Sequence, residues 1–149
     1  MSKRFGLQNY LPEAHKLMKE LDAVAKSGVD PQYLELIKVR ASQLNGCSFC
    51  MNMHSYDAIK VGIPQEKLFV LSAWEEAKDW FTAEEQIVLR ITEEVTMIGE
   101  HGISDETYDE AVNLLGEQKL AYILLAAINI NSWNRVGVGL KMHPMKHRI

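Results

Sequence analysis

The residues with most chemical potential lie in one short stretch, Cys47-Ser48-Phe49-Cys50-Met51-Asn52-Met53-His54, which holds the only two cysteines of the 149-residue chain. Two thiols at C-x-x-C spacing can close a small disulfide ring without large backbone movement. His54 follows Cys50 by four residues, so on a helix its ring lies on the same face and can hold or pass a proton. Cys47 falls where a helix begins, and the free N–H groups and positive dipole end there favour a thiolate. This arrangement points to redox chemistry first and metal chemistry second. Cys47, Cys50 and His54 could supply three zinc ligands, leaving a fourth to His101, His143 or His147. A pair of ordinary reduced thiols is the remaining alternative.

The elements that must position these groups read as helices throughout. Pro12 opens one that runs to about Lys26, with Leu17, Leu21 and Val24 at apolar spacing and Gly28 ending it. Asp30-Pro31 caps a second, which carries Leu34, Ile37, Ala41 and Leu44 and stops at Asn45-Gly46. A third starts near Cys47 and runs to about Val61, before Gly62. Ile63-Pro64 opens a short helix through about Trp74. Thr82 and Glu85 form a capping box ahead of a stripe of Ile87, Val88, Ile91, Val95 and Ile98, read as core. Ser104 caps a further helix. The last, about Gln118 to Val138, is apolar on most faces and is therefore either central or buried between subunits. No alternating strand pattern, repeat or linker is visible, so residues 1–149 are read as one all-α domain.

This order also locates a fourth group. The turn at Asn45-Gly46 is so short that the helices on either side must pack back to back. Glu35 lies about 16 Å before Gly46, and His54 about 12 Å after it, at roughly 1.5 Å per residue. They are level to within a turn, and a carboxylate beside the imidazole would orient it.

Composition narrows the classes. Apolar residues make up 47% and charged residues 24%, ordinary for a water-soluble globular chain, and the net charge is −4. An acidic balance argues against nucleic acid as partner; Lys141, Lys146, His147 and Arg148 are too few and too terminal to change this. The N-terminal residues carry charge without an apolar run behind them, and Leu120 to Ile130 is too short to span a bilayer. The expected compartment is the cytoplasm, where a C-x-x-C is catalytic or metal-binding rather than a structural staple.

Glu35, Cys47, Cys50 and His54, in the pattern E-x11-C-x-x-C-x3-H, together with the segments VRASQLNGCSFCMNMH, FTAEEQIVLRITEEVT and LLAAININSWNRVGVGL, resemble the alkylhydroperoxidase D-like group of the carboxymuconolactone decarboxylase superfamily. The resemblance spans roughly residues 10–140. It implies an all-α fold of about six to eight helices that assembles into trimers or hexamers. It also implies a thiol peroxidase mechanism without a cofactor. Cys50 would attack the O–O bond and become a sulfenic acid, and Cys47 would resolve it to a disulfide. Glu35 and His54 would relay the proton, and a dithiol donor, such as a lipoylated or thioredoxin-like protein, would reduce the disulfide. The family assigns attack to Cys50, whereas the helix-start argument favours Cys47 as the acidic thiol. The assignment followed here is Cys50, with the more exposed Cys47 meeting the reductant. One position departs from the pattern: Phe49 stands where the group carries a histidine that joins the relay.

The expected function is therefore a thiol-dependent alkyl hydroperoxidase or disulfide oxidoreductase in antioxidant defence. The alternatives are a decarboxylase-type enzyme of the same superfamily and a non-enzymatic redox sensor or zinc-binding protein. Trp133, Asn134 and Arg135 are read as structural or interfacial. His15, His101, His143 and His147 receive no role beyond the zinc alternative.

Overall fold

In the computed structural model, which describes residues 4–144, the predicted helices form in the predicted order. They are α1 (Pro12–Gly28), α2 (Pro31–Leu44), α3 (Ser48–Lys60), α4 (Gln65–Val70), α5 (Ala83–Thr96), α6 (Asp105–Leu115) and α7 (Glu117–Gly139). Two 3-10 stretches, Leu7–Asn9 and Leu71–Trp80, complete the set, and no strand occurs among the described residues. Lys146, His147 and Arg148 lie outside the described residues.

The helix ends form for the reasons their residues suggest. The Asp30 carboxylate accepts from the Gln32 amide at 2.8 Å. Thr82 and Glu85 cap each other's backbone amides, and Lys67 holds the Glu85 carboxylate at 2.7 Å. Gly46 has φ +65°, which lets α2 end and the chain reverse into α3.

The centre of the fold is α2. Residues Leu34 through Val39 are all buried. One face, with Leu34, Ile37 and Ala41, joins a core with Ile87 and Ile91 of α5 and Ile123 and Ala127 of α7. A second face, with Leu36 and Val39, joins a core containing Ala58, Leu71, Trp74 and Leu89. The third face is polar: Glu35, Lys38 and Ser42, at i, i+3 and i+7, are buried too. A helix between two apolar cores leaves only this stripe for side chains that need polar partners.

Three expectations need correction. Ile98 lies beyond the end of α5 and is 57% exposed, because the helix stops at Thr96 before the stripe completes its next turn. The helix after Pro64 does not continue evenly to Trp74. It passes at Leu71 into a 3-10 stretch, with non-helical backbone at Ala73 and Ala77, that seats Trp74 in the second core. Leu17, Leu21 and Val24 do not face a core, since about half of each side chain is exposed. The long apolar α7 packs on α1, α2, α3, α5 and α6, which explains its composition. No single helix among the described residues is long and apolar enough to cross a membrane.

Tyr33, at the start of α2, donates to the Glu84 carboxylate at 2.8 Å. Burial, then that hydrogen bond, push the phenol up to about 12 from 10. The unfolded chain therefore loses this proton first, so folding stability falls as pH rises from about 10 to about 12. Denaturant titrations across that window are expected to show the fall in the native chain and a shallower one in Tyr33→Phe.

Candidate active site

The third face of α2 meets the chain's chemistry. His54 Nδ1 lies 3.0 Å from Glu35 Oε2, and both residues are buried. Burial of an acid and an imidazole in contact favours one geometry, because each is the other's main polar partner away from water. Lys38, one turn along, lies 2.8 Å from the Asp22 carboxylate of α1 and 4.0 Å from Glu35 Oε1. Asp22, Lys38, Glu35 and His54 thus form a row of alternating acids and bases across α1, α2 and α3.

Cys47 and Cys50 are joined in a disulfide, with Cα atoms 5.3 Å apart. Cys47 is the N-cap of α3, its sulfur accepting from the Cys50 amide at 3.3 Å. Its position is fixed by an amide cluster. The Asn45 side-chain amide donates to Asn131 Oδ1 at 2.9 Å and Asn134 Oδ1 at 3.0 Å, and Asn134 donates to Ser42 Oγ at 3.0 Å. The cluster ties the α2–α3 turn to α7. Asn134 is fully buried, in keeping with a structural reading, and Arg135 bonds back to the Asn131 carbonyl.

The close approach of α7 explains a glycine. A Cβ on Gly137 would lie 2.7 Å from Cys47 Sγ and 3.4 Å from Cys50 Sγ. Any larger residue there would collide with the sulfurs. Sequence reasoning assigned Gly137 no role, and its spacing alone gives no signal of one.

Beside the disulfide lies a chamber of about 610 Å³. Phe49, Met53, Ile130, Trp133, Val136 and Met142 supply its apolar lining. Cys50 and His54 open onto it, whereas Cys47 does not. This corrects the expectation that Cys47 is the more exposed thiol: it is 1% exposed and Cys50 3%, because Gly137 lets α7 cover the Cys47 sulfur. Phe49 makes part of the chamber wall. His15, given no role from sequence, stands edge-on to Trp133 with ring centroids 5.2 Å apart and also lines the chamber.

In this disulfide form the cysteines offer the zinc alternative no thiolate ligands. The two cysteines are bonded to each other, and His101 and His143 sit exposed with backbone oxygens as partners. His147 lies outside the described residues. One other group, Glu35, His54 and Asp57, brings potential ligand atoms within 4.8 Å of one another. Within that group Glu35 contacts His54 at 3.0 Å and Asp57 pairs with Lys60 at 2.9 Å.

Helices alone around a C-x-x-C disulfide, with a buried acid–histidine pair beside it, define the class as an all-α dithiol protein. The family follows from comparison. Residues 12–94 match the model of the carboxymuconolactone decarboxylase family, and the chain belongs to that family as an AhpD-like member. The uncharacterized protein YdfG of Bacillus subtilis (strain 168) is 35% identical over 141 residues, covering 94% of this chain and 95% of its own. The crystal structure of ATU0492 from Agrobacterium tumefaciens, a protein of unknown function and candidate antioxidant defence protein AhpD, superposes with a TM-score of 0.93 at 29% identity. That match covers 98% of this chain and 100% of ATU0492. The debrominase Bmp8 shares the fold, with a TM-score of 0.77 at 14% identity over 93% of this chain and 74% of Bmp8.

Gly137→Ala is expected to disfavour the disulfide more than the dithiol. The bond holds Cys47 Sγ against α7, whereas a free thiol can turn away about χ1. Overpacking of this kind costs roughly 1–3 kcal/mol. Equilibration against a dithiothreitol couple is therefore expected to show a disulfide about tenfold more easily reduced. An unchanged equilibrium would mean that the helices separate to absorb the methyl group.

Proposed function

We propose that this protein is a thiol-dependent peroxidase that reduces organic hydroperoxides. The observation that carries the reading is the juxtaposition of a Cys47–Cys50 disulfide with a buried Glu35–His54 pair, Cys50 and His54 both lining one apolar chamber. In the reduced protein the Cys50 thiolate attacks the terminal peroxide oxygen. An S–O bond forms, the O–O bond breaks, and the alkoxide leaves as an alcohol with a proton from His54. Cys47 then attacks the Cys50 sulfur, forming the S–S bond and releasing water. The balance is one hydroperoxide and two thiols to one alcohol, one water and one disulfide. Glu35 positions the imidazole and carries no atom of the substrate.

A dithiol donor completes the cycle. Cys50 is the sulfur that lines the chamber, so the reductant enters there. A slender dithiol, such as a lipoyl group on its carrier, suits that route better than the broad face of a thioredoxin-like protein. Self-association is part of the same reading. The exposed stripe of Leu17, Leu21 and Val24 on α1 offers an apolar face for further copies, in a trimer or hexamer. A monomer by light scattering at micromolar concentration overturns that part. The proposed setting is the cytoplasm, whose reducing pool would return the disulfide to thiols.

The chamber also favours a second reading. An aryl bromide entering it could lose its bromine to Cys50, giving the reduced ring, bromide and the same disulfide. The debrominase fold hosts such a substrate class, as the complex of a Bmp8 variant with a tribromopyrrole shows for that protein.

Stopped-flow consumption of cumene hydroperoxide by the reduced protein, with thiols counted before and after, tests the first reading. The expected result is loss of both thiols at a rate far above free cysteine. Cys50→Ser should abolish the reaction, and Cys47→Ser should leave one turnover and a trappable sulfenic acid. Glu35→Gln should slow the peroxide step about tenfold to a hundredfold while the disulfide still forms, since it disturbs orientation of the general acid alone. Normal turnover in Cys50→Ser overturns the assignment. No peroxide reaction, with bromide released from an aryl bromide, replaces it with the second reading.

A further inference from the structure

The walls of the chamber differ in charge, and that difference selects a substrate. On α1, His15, Lys19, Asp22 and Lys26 line the chamber at i, i+4, i+7 and i+11, one face of the helix. The opposing side chains from α3 and α7, Phe49, Met53, Ile130, Trp133 and Val136, are apolar. Lys38 is buried and already matched by Asp22 at 2.8 Å and Glu35 at 4.0 Å. Asp22 is thereby engaged as well. Lys19 and Lys26 are exposed, flank Asp22, and take part in no ion pair among the described residues. The uncompensated charge of the chamber is therefore positive and sits at its solvent side, while the sulfur and imidazole sit at its buried end.

We infer that the chamber takes an amphiphilic acid: an anionic headgroup at Lys19 and Lys26, with an apolar body lying between the Phe49–Met53 and Ile130–Trp133 walls toward Cys50. The inference rests on the peroxidase reading for what happens at the sulfur, but not for the binding itself. The volume, about 610 Å³, falls within the range for ligand sites, roughly 300–1,000 Å³, and exceeds what hydrogen peroxide would need. The phenyl ring of Phe49 in place of a relay histidine adds apolar wall where the body would lie. Self-association leaves the site open. At about 100° per residue, the Leu17, Leu21 and Val24 stripe lies roughly half a turn around α1 from the Lys19 and Lys26 stripe. A copy seated on the first does not cover the second.

Titration calorimetry with octanoate and octanamide, which share a body and differ in charge, tests this on the full-length oxidised protein. Octanoate is expected to bind about fivefold to tenfold more tightly than octanamide, the gain that two exposed cations together provide. Added salt should erase the difference. The Lys19→Glu/Lys26→Glu variant should reverse it while leaving octanamide affinity within twofold. Val136→Trp, which fills the chamber, should abolish binding of both. Equal affinities, binding of neither, or a preference that survives the double charge reversal overturns the inference. Peroxide turnover without acid preference leaves the peroxidase reading standing and removes this one. Acid preference without turnover does the reverse.

Discussion

The polar stripe of α2 is the constraint on which the rest depends. A helix buried on two apolar faces must still seat Glu35, Lys38 and Ser42 on its third. Each buried polar group without a partner costs of order a few kcal/mol, more if charged. The fold answers with one partner from each neighbouring helix: His54 from α3, Asp22 from α1 and Asn134 from α7. Three helices are thus tied to α2 through its buried polar side chains. The candidate active site lies along that stripe, so what holds the helices together also sets the chemistry.

The disulfide sits at the other end of the same logic. The asparagine cluster fixes the α2–α3 turn against α7, and Gly137 lets α7 approach until it touches the Cys47 sulfur. That contact divides two chemically identical thiols. One is capped by a helix and the other opens onto a chamber. Direction in a dithiol reaction requires such a difference, because attack and resolution are separate steps on separate sulfurs. The helix-start argument, which favours Cys47 as a thiolate, concerns acidity; the packing of α7 decides access.

Membership in the carboxymuconolactone decarboxylase family sets the fold and leaves the reaction to the pocket. A debrominase built on the same helices at 14% identity makes the point. In this chain the pocket departs from the expected relay at Phe49, which becomes wall. In the proposed reaction, proton handling rests on the Glu35–His54 pair and selectivity on what the chamber admits.

Much of this architecture was legible in the linear chain. Helix starts are local events, so Pro12, Asp30, Thr82 and Ser104 announced them correctly, and a three-residue connection left α3 no choice but to fold back on α2. That return, with a fixed rise per residue, was enough to place Glu35 level with His54. The misses have two causes. Ile98 and the run to Trp74 were misread because period does not mark where a helix stops or tightens, whereas Leu17, Leu21 and Val24 fit a helical period that cannot say whether a neighbour is there to cover the face. The roles of Lys38, Asp22 and Gly137, and the burial of Cys47, depend on where α1 and α7 cross α2 and α3, contacts between residues up to about ninety positions apart. Sequence by itself determined which groups stand on one helix face and how far along it. Tertiary packing alone decided which of them are covered, which thiol is open, and which charges remain unmatched, because burial is a property of neighbours and not of a chain's own order.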